Sequence, residues 1–233
     1  MLDVKMGFGH EERYVLDGHK PLYLLGHTHT GVVNRESVRM AFTRTALNRL
    51  AVFASDFRNS CLQDPSSEKH YAACGADFAL ENIGKRSLIK RAVYGGKVAK
   101  RYFRNNLRSC MSHLNFRPFL ADPEVHTKPG TNSDGSEHYE HALLCTDYVL
   151  SVSDNTEIIL RNEIGKCFEL KEERIGPPKM HLGRHARKLV LGSMIEAWHF
   201  SSSQNAKATV NILVIHLKEK GLKLSKIACT NPE

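Results

Sequence analysis

Apolar positions along the chain switch between helical and extended spacing, and the switches mark out the elements. Asn34-Arg-Glu-Ser37 reads as an N-cap with an acidic first turn, and Val38, Ala41, Phe42, Thr45 and Ala46 then recur at helical spacing. This predicts a helix over about 35–49. A short β-rich run, Ala51-Val-Phe-Ala-Ser-Asp-Phe57, follows at once and ends in Asp56 before the polar Arg58-Asn59. Beyond a Pro/Ser-rich break at 64–67, strands are expected over 69–74 and 86–94, the second stopped by Gly95-Gly96. Val98, Tyr102, Phe103, Leu107, Cys110, Met111 and Leu114 form one apolar stripe, so a second long helix is predicted over about 98–115. Lys100, Arg101, Arg104 and Arg108 fall on its remaining faces.

The second half repeats these signals. Residues 129–136 read as a loop or hairpin turn, and 141–152 as two β segments with Asp147 between them. Ser153-Asp154 can cap a third helix through Ile158, Ile159 and Ile164 to about Phe168, and Gly176-Pro-Pro178 stops any continuation. Strand pairs are expected at 180–183 with 186–191, and then at 195–200 after a Gly192-Ser193 turn. A last helix is expected after Ser201-Ser-Ser203, with Val210, Leu213, Val214 and Leu217 inside and Gly221 at its end. The order predicts an α+β fold in which helices cover one face of an antiparallel sheet.

Composition narrows the class. With 41% hydrophobic and 25% charged residues in 233, the chain matches the globular average, which excludes wholesale disorder or a fibrous repeat. Its six cysteines include no Cys-x-x-Cys pair, so neither a zinc cage nor a secreted disulfide framework is signalled. No signal-peptide core and no membrane-length apolar stretch is seen, which leads us to expect an intracellular protein, cytoplasmic or nuclear, with no membrane partner. The net charge of +8 is unevenly spread. Lys85 to Arg117 holds ten basic residues and no acid, leaving 23 basic against 25 acidic elsewhere, a net of −2. Such a segment is either a solvated face or an electrostatic footprint for a polyanion, with Tyr94, Tyr102 and Phe103 interleaved as stacking or packing groups.

Asp56 ends one predicted strand and Asp147 lies between two others, so a sheet pairing these strands would bring the carboxylates together. Alone, each reads equally well as a turn or capping residue. Their surroundings resemble the reverse transcriptase of copia-type retrotransposons, in several blocks that follow the family's order. The blocks are Thr30-Gly-Val-Val-Asn-Arg-Glu-Ser-Val-Arg39, Ala54-Ser-Asp-Phe-Arg-Asn-Ser-Cys-Leu62, Ala92-Val-Tyr-Gly-Gly-Lys97, Leu120-Ala-Asp-Pro123, Leu143-Leu-Cys-Thr-Asp-Tyr148 and Met180-His-Leu-Gly183. The resemblance runs from about Tyr14 to Pro232. It implies a right-hand polymerase, an RNA-directed DNA polymerase (nucleotidyltransferase), with fingers from 1–33 and 63–97, palm from 34–62 and 98–200, and the start of a thumb from 201–233. The family's protease, integrase and ribonuclease H regions do not fit in this length, so a fragment or a lone polymerase core is expected.

By this resemblance Asp56 and Asp147 are the catalytic carboxylates, and Asp56, the Phe57 carbonyl and Asp147 would ligate two Mg²⁺ ions that clamp the attacking and leaving oxygens. The partners implied are an RNA or DNA template-primer and deoxynucleotides. Cys61 takes the position of the family's aromatic gate against ribose 2′-hydroxyls. Tyr94, Gly95, Gly96 and Lys97 match a block near template and nucleotide, Arg101 and Arg104 are candidate phosphate contacts, and Gly183 resembles the primer-grip turn, although an ordinary turn explains either glycine motif as well. The family's aromatic-x-Asp-Asp turn departs at both ends: Cys145 replaces the aromatic, and Tyr148 replaces the second Asp. A phenol with a pKa near ~10 does not ligate Mg²⁺ as a carboxylate does, so an impaired polymerase is expected. The alternatives are a non-catalytic nucleic-acid-binding remnant and a translated fragment that does not fold stably. His27-Thr-His29 lacks a placed third ligand, and Trp198 and Phe200 read as sheet packing.

Overall fold

The computed structural model describes residues 2–5, 9–12, 30–75, 79–96, 98–132, 134–181, 184–191 and 195–221. Its elements, in chain order, begin with strands β1 (Leu2–Lys5) and β2 (Gly9–Glu12), which pair antiparallel. Helix α1 (Arg35–Asn48), β3 (Ala51–Asp56), β4 (Pro65–Ala73) and β5 (Arg86–Arg91) follow. Helix α2 (Ala99–His113) leads to β6 (Arg117–Pro118), β7 (Val125–Thr131), β8 (Glu137–Leu144) and β9 (Tyr148–Ser153). Helix α3 joins Thr156–Ile158 and Gly165–Cys167 through a π-helical stretch, Ile159–Ile164. Strands β10 (Met180–His181), β11 (Arg184–Leu191) and β12 (Ile195–Ser201) precede helix α4 (Ser203–Glu219). The chain divides into two compact units, Met1–Pro177 and Pro178–Glu233, at the Gly-Pro-Pro break.

The first unit is built on a five-stranded antiparallel sheet of order β3-β9-β8-β7-β6, with β4 and β5 forming a separate two-stranded ribbon. The second holds a three-stranded antiparallel sheet, β10-β11-β12, and α4. The fold is therefore mixed α+β with antiparallel sheets. Among the described residues no helix is long and apolar enough to cross a membrane.

Helices do not cover only one face of the central sheet, as the pattern led us to expect. In β8, Ala142 and Leu144 join β9's Val149 in a cluster with Phe103, Leu107 and Met111 of α2 and Leu160 and Ile164 of α3. The intervening His141 and Leu143 line a cleft with Ser37, Met40 and Ala41 of α1. Successive strand residues point to opposite faces, so α1 covers one face and α2 with α3 the other. The physical reason is legible in hindsight: Ala142-Leu-Leu144 and Val149-Leu150 are all fully buried, and an unbroken apolar run needs cover on both sides.

Local ends also follow from backbone chemistry. Asn34 does not cap α1 with its side chain; its own N–H donates to Asp122 Oδ2 at 2.8 Å, and the helix stops at Arg49, left-handed at φ 54°. Residues 129–131, expected in a loop or hairpin turn, extend β7, and beyond them the Asn132 N–H donates to the Ser136 carbonyl at 2.8 Å. In α3, a Cβ on Gly165 would meet the Leu160 carbonyl oxygen at 2.9 Å, so only glycine fits there without displacement.

Candidate functional site

The site is assembled at one end of the β3–β9 pair. Their register sets Asp56 opposite Tyr148, and one step on the Phe57 N–H donates to the Asp147 carbonyl at 2.9 Å. The Cys145 N–H donates to the Tyr148 carbonyl at 3.0 Å, closing the β8–β9 turn that presents Asp147 to solvent. The two sequence-predicted carboxylates thus sit on adjacent chain ends. What fixes them is a core residue just beyond each. Phe57 is buried and meets Phe103 and Phe168 edge-on, with centroids at 5.1 and 5.6 Å, while Val149 lies in the same core two residues past Asp147.

The turn is held from below by α2. Arg104 is 4% exposed, pairs with the buried Glu124, and donates to the carbonyls of Leu144 at 3.1 Å and Cys145 at 3.4 Å. Arg108 also pairs with Glu124. This corrects the expectation for Arg104: its guanidinium faces the core, Glu124 and the Leu144–Cys145 carbonyls, not a phosphate backbone. Burial above all lowers its pKa to about 10, so it stays charged at neutral pH. The apolar stripe of α2 could not reveal this, because Glu124 approaches from a loop between β6 and β7.

Asp56 is ion-paired. Its Oδ2 pairs with Arg174 and lies 3.9 Å from Lys171 Nζ. Both cations come from the segment after α3, which runs beside the outer edge of β3. There the Lys171 N–H donates to the Asp56 carbonyl at 2.9 Å, the Arg58 N–H to Glu169 at 2.9 Å and the Ala54 N–H to Gly176 at 2.8 Å. Arg58 reinforces the edge through Glu169 at 3.0 Å and Glu173 at 3.6 Å. Lys171 and Arg174 were missed at the sequence level. They lie in a charged, aperiodic run 115 and 118 residues beyond Asp56, with no local signal that connects them to it.

Tyr148 is half-buried and shares a hydrogen bond with the Cys145 thiol. Burial first, then Cys145 and the charges of Asp147 and Asp56, push its phenol well above the ordinary tyrosine value, so it brings no negative charge to the site. Cys145 is 1% exposed, and burial pushes its thiol up to about 12. Among the described residues, no group of three or more His, Cys, Asp or Glu side chains is placed to hold a metal ion. Asp56 is thus ion-paired and Tyr148 neutral.

Cys61 is buried, packed with Ala92, Ala99 and Tyr94. Burial above all raises its thiol pKa, and Lys100, Asp64 and Asp147 all act on it electrostatically. Gly95, at φ 85°, and Gly96, whose N–H donates to Val93 at 3.1 Å, form the turn that leads into α2. Arg101 is half-buried. Lys97 and Gly183 lie outside the described residues. Of the acid-free segment, Lys85, Arg86, Lys90, Arg91, Lys100 and Arg117 are exposed. A comparison of the chain with protein-family models, with curated proteins and with solved structures returns no match.

Proposed function

We propose that this chain is the fingers-and-palm core of a copia-type reverse transcriptase that has kept its nucleic-acid-binding surface and lost nucleotidyl transfer. The observation that carries the reading is the meeting of Asp56 and Asp147 at one strand end, with a neutral Tyr148 in the third carboxylate's place and Arg174 on Asp56. Two-metal chemistry needs hard anionic oxygens on both ions. Here one carboxylate is neutralised by a guanidinium and one is replaced by a phenol. The exposed cations of the β4–β5 ribbon and of the start of α2 supply sequence-independent attraction for a template-primer.

Primer extension on an RNA template with Mg²⁺ and deoxynucleotides tests this. The natural sequence should give no extension above background while still binding the template-primer, and Tyr148→Asp combined with Arg174→Ala should raise Mg²⁺ affinity in a calorimetric titration. Extension by the natural protein at a rate the double substitution does not increase would sink the proposal.

A further inference from the structure

A groove runs between α1 and the sheet face that α1 covers. Its floor is one face of the β7–β8 pair, where the cross-strand partners Val125 and Leu143, Thr127 and His141, and Pro129 and Tyr139 follow one another. Its wall is a line of α1 at helical spacing, Ser37, Met40, Arg44 and Asn48. The groove has two compartments. One is an apolar cleft of about 220 Å³ between Met40, Ala41, Phe119, Val125 and Leu143, and the other a polar cavity of about 680 Å³ lined by Asn48, Ser136, His138 and Tyr139. Arg44 lines both and is half-buried at their junction. Its Nε is buried with no hydrogen-bond partner, and no carboxylate of the described residues pairs with it. His141 Nε2, in the cleft, is likewise buried and unpartnered. We propose that this groove binds a small organic carboxylate, with the carboxylate on Arg44 and the apolar body, one aromatic ring or a short alkyl chain, in the cleft. This inference is independent of the functional reading above.

Charge, shape and size set the ligand class. A guanidinium that no acid neutralises offers a planar carboxylate two parallel N–H donors, a match that is both electrostatic and geometric. Burial first, then Arg44 and His138, hold the His141 pKa down at about 4, so its imidazole is neutral at pH 7 and adds no second positive charge to the cleft. Glu137 lines the larger cavity, which further disfavours a dianion such as a phosphate monoester. A single negative charge is therefore what the groove accepts. Pockets that hold small molecules combine apolar walls with a few placed polar groups, and this one has that division. A cavity of about 150 Å³ is enough for benzene, so the 220 Å³ cleft accepts one ring. Met40 and Phe119, both exposed at its rim, would be covered by that ring.

The test is a calorimetric titration of the whole protein with phenylacetate, for which a dissociation constant on the order of 1 mM is expected from its size. Phenylacetamide, which has the ring without the charge, and acetate, which has the charge without the ring, should each bind about 10-fold more weakly or worse. Arg44→Met keeps the apolar stem and should weaken phenylacetate by about 10-fold or more, and Phe119→Ala should weaken it several-fold. Three results overturn the proposal: no saturable binding to the wild type well above ~1 mM, phenylacetamide binding as tightly as phenylacetate, or phenylacetate affinity unchanged in Arg44→Met. The comparison of acid with amide uses the unaltered chain, so it decides even if a substitution disturbs the fold.

Discussion

Glu124 shows how much one side chain can hold. It is 3% exposed, neutralises Arg104 and Arg108, and Arg104 in turn ties down the carbonyls of the Cys145 turn. Removing one partner of such a pair leaves a buried charge without compensation, at about 3–5 kcal/mol, whereas replacing both with apolar groups of similar volume is often close to neutral. Glu124→Leu should therefore lower the urea midpoint sharply, and Arg104→Met added to it should recover most of the loss. If the double variant is no more stable than Glu124→Leu, the pair is not the coupled unit described here. His126, buried beside the same arginines, is held neutral: burial first, then Arg104 and Arg108, lower its pKa to about 4. Because the unfolded imidazole titrates near ~6.5, the unfolded state binds the extra proton first, and this contribution to stability is complete above that pH. It drains away as pH falls toward 4, by roughly 3 kcal/mol at that point. Denaturant titrations at stepped pH should show that fall, and His126→Gln should make it shallower, His141, whose pKa burial also lowers to about 4, supplying the rest.

At the scale of elements, the turn before α2 is fixed by Gly95 in a left-handed conformation, φ 85°. Gly95→Ala should cost about 1–2 kcal/mol and shift the denaturant midpoint with no change in slope, while Gly96→Ala, lacking a positive φ, should cost less. Equal losses at both positions would show that the left-handed backbone is not the cause. This turn was legible in the sequence as a break, as were α1, α2, β3 and the β8–β9 turn that holds Asp147, because their spacing is local and periodic. What the pattern could not show depends on contacts between distant segments. The helix on each sheet face is one case, since Ala142-Leu-Leu144 reads equally as a strand covered once or twice. The Arg174–Asp56 pair is another, joining residues 118 positions apart through an edge segment with no periodicity of its own. Asp56 and Asp147 were picked out because one ends a recognisable strand and the other lies between two, and they were paired on the resemblance of their surroundings. The cation that occupies Asp56 was not, because no local rule places it there.

Over the whole molecule, the cations that bear on the site and on the acid-free segment are of three kinds. Arg104 and Arg108 are spent on Glu124 inside the first unit, and Lys171 and Arg174 on Asp56. Lys85, Arg86, Lys90, Arg91, Lys100 and Arg117 remain exposed along the acid-free segment, and Arg86 and Lys90 belong to one strand of the two-stranded β4–β5 ribbon. Each phosphate that such a residue neutralises on a duplex releases counterions and adds about −0.9 to the slope of log affinity against log salt. If four to six of these cations touch the backbone, a filter-binding titration on an RNA–DNA hybrid should give a slope of roughly −4 to −5. Arg86→Gln with Lys90→Gln should flatten it by about 2, and Arg104→Met, whose guanidinium faces the core, should leave it unchanged wherever the protein stays folded. The contrast between the two variants is what separates the surface from the core. A slope altered equally by both would mean that the turn beneath Asp147, rather than the exposed ribbon, governs binding.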